Sequence, residues 1–288
     1  MFRYIAQIIL ILVLFTGFES AFARENEINK KFTIESNSIE INIDVDFGEI
    51  KIIPSGKSSQ LRVKVEYYTE YSEIELDYNE RRNTLDIVAD QEWFSDEDDY
   101  ECSDCDNKRG VEITVELPYK PEIDLDVEIK AGETDFQLGG LSLRNFEFDN
   151  YAGEVDIDFD TPNRINMDTF NIDCKVGELD IYNLGNSHFT HARINSGIGE
   201  LEVDFSGDIL DDVTADIDLE LGETYIIVPR EIGTKMRISR FMFFNPDTHY
   251  SNFHKEGSYY YSEKFDDRDE RLFLNISSGI GEINVMMK

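Results

Sequence analysis

The chain has 288 residues, a formal net charge of −34 and 41% hydrophobic residues. So negative a field argues against nucleic acid and anionic lipid surfaces as partners and favours cations, basic partners or a salty environment. The acid is interleaved with Ile, Val, Phe and Tyr rather than segregated from them, which fits solvated strand faces over a core and not a disordered chain.

Arg3, an apolar run from Ile5 to Phe18 and then Ala21-Phe22-Ala23 read as the n-region, h-region and cleavage site of a secretory signal peptide. Residues 1–23 are assigned to it, and 24–288 to one exported domain. The apolar run is too short to span a bilayer comfortably, so cleavage after Ala23 is the main reading, an uncleaved membrane anchor the alternative, and no membrane insertion of the mature chain is expected. No cysteine lies near the cleavage site, which argues against a lipoprotein.

The first strand-like stretch runs from Thr33 to Ile53. Ile41, Ile43, Val45 and Phe47 alternate, Gly48-Glu49 follows, and Ile50 and Ile52 continue the alternation. From Leu61 the period stays at two: Leu61, Val63, Val65 and Tyr67, then Ile74, Leu76 and Tyr78. Two further runs, Leu85–Val88 and Val111–Leu117, read as a strand pair joined by an acidic loop over 92–110.

Five more copies of the first pattern follow without a break across 123–228, with glycines at 132, 153, 177, 199 and 222. Their spacing of 21 to 24 residues is the mark of a repeat architecture. Turn residues divide each repeat into two strands and two corners: Gly139-Gly140, Thr161-Pro162-Asn163, Leu184-Gly185-Asn186 and Ser206-Gly207-Asp208. An irregular, aromatic-rich insertion occupies 230–272. A last copy then runs from Leu274 to Val285 around Gly281-Glu282.

Counted from each Gly, positions −7, −5, −3 and −1 are mainly apolar or small, and so are +2 and +4. Inward-facing residues are thus odd before the Gly and even after it. A straight strand would throw one half onto solvent. The Gly is therefore expected at a bend that resets the phase, with φ > 0 and no Cβ to strike the neighbouring coil. One repeat cannot bury its own apolar row. Stacking as rungs about 4.8 Å apart solves this and predicts an all-β, single-stranded β-solenoid. The N-terminal β region and the late insertion are the natural end caps.

In-register stacking would line up Glu133, Glu154, Glu178, Glu200 and Glu223 on the outside. Asp135, Asp156, Asp180 and Glu202 would form a second row beside them, extended by Asp158 and Asp204. A solvated face of an acidic protein is the plain reading. A row of hard-cation sites is the sharper one, because Ca²⁺ takes carboxylate oxygens. No other cofactor is expected.

Three further features invite a function. Cys102 and Cys105 form a C-x-x-C in the acidic loop. No βαβ context supports redox catalysis there, and an exported protein can close the pair as a disulfide. Cys174 falls at an inward position and reads as a small buried hydrophobe. His188 and His191 are spaced for opposite faces of a strand and bring no further ligands, so they read as surface histidines. Within the insertion, Phe243, Phe244, Tyr259, Tyr260 and Tyr261 either cap the stack or offer a platform to a glycan or protein partner.

The stretch VEITVELPYKPEIDLDVEIKAGETDFQLGGL, from Val111 to Leu141, resembles the core signature of the toast-rack, or adhesin-like, domains of bacterial envelope proteins. It shows a strand ending in Leu117-Pro118, an alternating strand from Ile123 to Ala131, the Gly132-Glu133 corner, Thr134 to Phe136, and the Gly139-Gly140 turn. Ser-Gly-Ile-Gly-Glu at 196–200 and again at 278–282 fits the same pattern. The resemblance implies a right-handed β-solenoid in secreted proteins, or in membrane proteins linked to cell-wall stress, and carries over no catalytic residues. The expectation is a non-enzymatic protein exported to the periplasm or surface of a bacterium. It would act as an adhesin-like or stress-associated scaffold for an envelope protein or cell-wall glycan. A polysaccharide-active enzyme and a cation-dependent surface protein are the alternatives.

Overall fold

The computed structural model describes residues 25–68, 72–91, 110–240, 247–263 and 265–288. The signal-peptide assignment, Cys102, Cys105, Phe243, Phe244 and residues 92–109 of the acidic loop lie outside the described residues. The protein is all-β. In chain order its strands are β1 (Glu25–Thr33), β2 (Ser38–Pro54), β3 (Gln60–Tyr68), β4 (Ser72–Asn79), β5 (Thr84–Gln91), β6 (Val111–Leu117), β7 (Glu122–Gln137), β8 (Leu143–Asn150), β9 (Gly153–Asp158), β10 (Thr169–Tyr182), β11 (His191–Asp204), β12 (Val213–Val228), β13 (Gly233–Arg240), β14 (Asp247–Tyr250), β15 (Phe253–Glu256), β16 (Tyr259–Ser262) and β17 (Arg271–Met287).

The repeat copies pair in parallel and in register, glycine on glycine. Gly48 faces Gly132, which faces Gly153, and the column continues through Gly177, Gly199, Gly222 and Gly281. Both outlying copies therefore join the main array. β17 lies between β12 and the insertion, pairing with β12 on one side and with β13 and β14 on the other. The insertion read as irregular thus supplies a further parallel rung in two pieces.

The opposite end is built the same way. β5 pairs in parallel with the first half of β2, and β6 with its second half. The expected β5–β6 pair is not formed: the two strands are the two halves of one rung. Their antiparallel partners are β4 and β3 respectively, and β1 closes outside β3. At the far end the β15–β16 hairpin closes against β13. Charged residues mark the outermost strands: Lys30 and Lys31 on β1, and Glu73, Glu75 and Asp77 on β4 are exposed. That is how sheet edges resist pairing with another chain.

The interior follows the two expected phases with one exception. Positions −7 and −5 are buried in every copy, for instance Leu125 with Val127 and Phe170 with Ile172. Positions +2 and +4 are buried throughout, including Thr134 and Thr224. Side-chain volume is balanced along the stack. Phe146 and Phe170 occupy −7 in two rungs, Ala192 and Ala215 in the next two, and Phe189 and Phe205 fill space from the turn side. The turns stack as well, with Gly140 N–H donating to Thr161 O and Gly185 N–H to Ser206 O.

The exception is position −1, expected inside. Val176, Ile198, Leu221 and Ile280 are exposed. The bend is not confined to the Gly but spreads over positions −2 to +1. The last inward residue before it is −3 and the first after it is +2, so four consecutive residues line the outside of the corner.

Candidate corner face

Why glycine holds this corner is visible in the backbone. Gly177 has φ +136°, and a Cβ there would lie 1.8 Å from the carbonyl oxygen of Gly153. The same clash recurs from rung to rung, at 1.8 Å for Gly132 on Gly48 and 1.7 Å for Gly281 on Gly222. Each glycine thus occupies a backbone region that L side chains avoid, and the next rung takes the volume a side chain would need.

The glutamate after each Gly points outward and falls in register with its neighbours. Glu133, Glu154, Glu178 and Glu200 form one row, as expected, with Glu223 beyond them. The row is longer than the Gly-Glu motif suggests. It continues through Glu49 to Glu112 at one end, and to Glu282 at the other. Glu112 escaped sequence reading because no Gly precedes it directly; Gly110-Val111-Glu112 was the available trace. Asp135, Asp156, Asp180 and Glu202 form the second row.

The electrostatics of these rows are dominated by like charge. Desolvation, then the charges of Glu112 and Glu133, raise the Glu49 carboxyl above its ordinary value. Asp156 is raised by burial, then by Asp180, Asp135 and Glu154. Glu202 is raised by burial, then by Asp180 and Asp204, against an opposing pull from Lys288. Compensation comes at one end of the second row, where Lys51 pairs with Asp135, and from hydroxyls within the rows. Tyr225 Oη donates to Glu223 at 2.6 Å and Tyr182 Oη to Asp180 at 3.1 Å. The Tyr225 phenol is pushed up to about 12 by that hydrogen bond and the glutamate charges around it. Among the described residues, no group of three or more His, Cys, Asp or Glu converges in a way that could hold a metal ion. The carboxylates run in parallel rows instead.

Glu49, Lys51, Glu112, Glu133, Asp135 and Asp156 line an open groove of about 270 Å³ over the start of β6, the second halves of β2 and β7, and β9.

The other singled-out residues separate in space. Tyr260 is buried and belongs to the core, so it is not open to a partner. Tyr259 and Tyr261 are half-buried, with the Lys235 ammonium 4.3 Å and 5.6 Å from their ring centroids. Cys174 is buried, and burial, then Asp173 and Asp149, push its thiol up to about 12. His188 Nε2 is a buried atom with no hydrogen-bond partner, whereas His191 Nε2 lies 3.3 Å from Asp216. The two histidines do not form a common site.

The family model for the N-terminal domain of toast_rack, DUF2154, matches residues 19–182. The chain belongs to this family. No curated protein matches the chain. Among solved structures, it is similar to a candidate cell adhesion protein from Clostridium sporogenes, with 16% identity over 92% of this chain and 100% of that one and a TM-score of 0.44. A candidate adhesin from Bacteroides fragilis shares 12% identity over 91% and 97% of the two chains, with a TM-score of 0.36. A candidate lipid-binding protein from Parabacteroides distasonis shares 13% over 92% and 98%, with a TM-score of 0.34. No helix among the described residues of the toast-rack chain is long and apolar enough to cross a membrane.

Proposed function

We propose that this toast-rack chain is an exported, non-enzymatic scaffold of the bacterial cell envelope, adhesin-like or stress-associated. In this reading the stacked rungs form a right-handed β-solenoid whose outer rows bind an envelope protein or a cell-wall glycan. The observation that carries it is the in-register corner column, from Gly48 to Gly281, which repeats the same outward residues on rung after rung of a tightly hydrogen-bonded lattice. Such a surface suits extended binding. Export is supported by the apolar run from Ile5 to Phe18 followed by Ala21-Phe22-Ala23.

The test has two arms. Cell fractionation with N-terminal sequencing of the recovered protein should place it outside the cytoplasm and starting near Arg24. Incubation with purified cell-wall glycans should give retention without release of soluble sugars. A cytoplasmic, uncut protein would sink the export claim. Turnover of glycan would replace the scaffold by an enzyme.

A further inference from the structure

The outward position −1 creates a feature that the repeat was not expected to have. Val176, Ile198, Leu221 and Ile280 stand side by side on β10, β11, β12 and β17, paired in register. They are 42–49% exposed and make up half of the strongly exposed large apolar side chains among the described residues. Scattered singly, such residues would need no explanation. Four in one column form a continuous apolar ridge. Folding does not demand it, because Ala131 holds the same position on β7.

Directly beside the ridge, two residues further along each strand, runs Glu178, Glu200, Glu223 and Glu282. The opposite flank alternates: Gly197 and Gly279 sit one residue before Ile198 and Ile280, while exposed Lys175 and Glu220 hold the same position before Val176 and Leu221. The face is therefore a ridge with a continuous wall of carboxylates on one side and a broken flank, low at every second rung, on the other.

We infer that this face docks a basic amphipathic α-helix of a partner protein, lying along the stack with its apolar stripe on the ridge and its Lys and Arg side chains against the glutamate row. Spacing selects the helix. Ridge residues recur about every 4.8 Å, the rise between paired strands. A helix presents one apolar position per turn of about 5.4 Å, so four anchors span about 16 Å against about 14 Å on the ridge. An extended strand repeats one face at about 6.6 Å and falls out of step by the second residue. Charge selects the sign. A second copy of this chain would bring a molecule of net charge −34 and another glutamate row against the first, and an anionic membrane is repelled for the same reason. The inference deepens the scaffold reading by naming what one face binds. It does not depend on export, which fractionation tests separately.

The probe is a fluorescently labelled Leu/Lys peptide of about four helical turns, amphipathic by design, titrated with the full chain at low salt. A peptide of identical composition with its leucines scrambled out of register is the comparison. The expected result is binding that weakens at least tenfold for the scrambled peptide. The same loss is expected for the variant V176A/I198A/L221A/I280A and for E178Q/E200Q/E223Q/E282Q. Changing the acids of a distant strand, E73Q/E75Q/D77N, should leave binding within twofold. I198K alone gives a second test of the ridge with a single exposed change, and circular dichroism checks that each variant is folded. Four outcomes overturn the inference. They are no binding to the wild type, equal binding of both peptides, equal losses for ladder and distant acids, and wild-type dimers that fall apart in the alanine variant.

Discussion

Replacing Gly177 by Ala tests the corner most directly. The new Cβ would lie 1.8 Å from Gly153 O and 2.9 Å from its carbonyl carbon, where real contacts essentially never fall under 3.0 Å. β9 and β10 would have to part by more than an ångström at this point, beyond hydrogen-bond range for the bonds that flank the glycine. Two or three lost rung bonds at about 1 kcal/mol each, plus about 1–3 kcal/mol for an L residue at φ +136°, give about 3–6 kcal/mol. That is a large part of the stability of an ordinary domain. Gly56 supplies the control. It has φ +66° with nothing within 4 Å, so Gly56→Ala carries only the backbone term of about 1–2 kcal/mol. Urea unfolding followed by far-ultraviolet circular dichroism measures both. Gly177→Val should be at least as damaging as Gly177→Ala. If Gly177→Ala costs no more than Gly56→Ala, the clash with the neighbouring rung is not what requires glycine.

Other expectations follow from the same face and from the core. Glu178→Gln removes a like charge from between Glu154 and Glu200 and should stabilise by a few tenths to about 1 kcal/mol; destabilisation comparable to Gly177→Val would end the division between a structural Gly and an outward Glu. Glu49, Asp126, Asp149, Asp156, Glu202 and Asp218 all have raised carboxyls, so the folded state binds more protons than the unfolded one between their ordinary values near 4 and their raised values. Their contribution to stability therefore grows as pH falls from 7 toward that window, and melting at pH 5 should exceed melting at pH 7. Asp46 opposes this trend. Burial alone would raise it, but hydrogen bonds from Lys130 and the Gln91 N–H, with the Lys130 charge, hold it below its ordinary value. Added NaCl should raise the melting temperature by screening the rows, and calcium exceeding NaCl at equal ionic strength would reveal ion-specific sites. Tyr260→Ala should cost about 3 kcal/mol and Tyr259→Ala under about 1, because only the first ring is buried. Cys174 should resist thiol reagents in the folded chain and react fully in urea, its thiol being buried and pushed up to about 12.

Local alternation made the strands, the Gly column and the acidic rows legible in the residues, because each is set by a period of two and by a glycine that admits no substitute. What stayed hidden was set by neighbours far along the chain. Val176 and Cys174 are both apolar and both odd-numbered from their glycine, yet one is exposed and the other buried. The corner takes four residues, and no periodicity states how wide a bend is. Tyr259, Tyr260 and Tyr261 read as one aromatic cluster, whereas pairing of β16 with β13 turns the middle ring into the core. β5 and β6 look like a hairpin because they are consecutive strands. Pairing of Val45 with Ala89 and of Gly48 with Val111 makes them instead the two sides of one corner.

That last point gives the long connection between β5 and β6 a physical reason. β5 ends and β6 begins where the inner rungs carry Gly48 and Gly132. Each corner Cβ would point to the same side of its rung, from Gly281 onto Gly222, from Gly132 onto Gly48 and from Gly48 onto Val111. The rung made of β5 and β6 has no further parallel rung on that side, whereas β13 and β14 still have β17 there. The steric rule that fixes the corner sequence relaxes at the β5–β6 rung, and a longer connection becomes tolerable. The glycine column and the long β5–β6 connection thus have one cause, the presence or absence of a parallel rung to collide with. On this reasoning, residues inserted between Lys175 and Gly177 should prevent folding, while insertions between β5 and β6 should leave melting within a few degrees. Equal tolerance at both places would show that stacking does not police the corner.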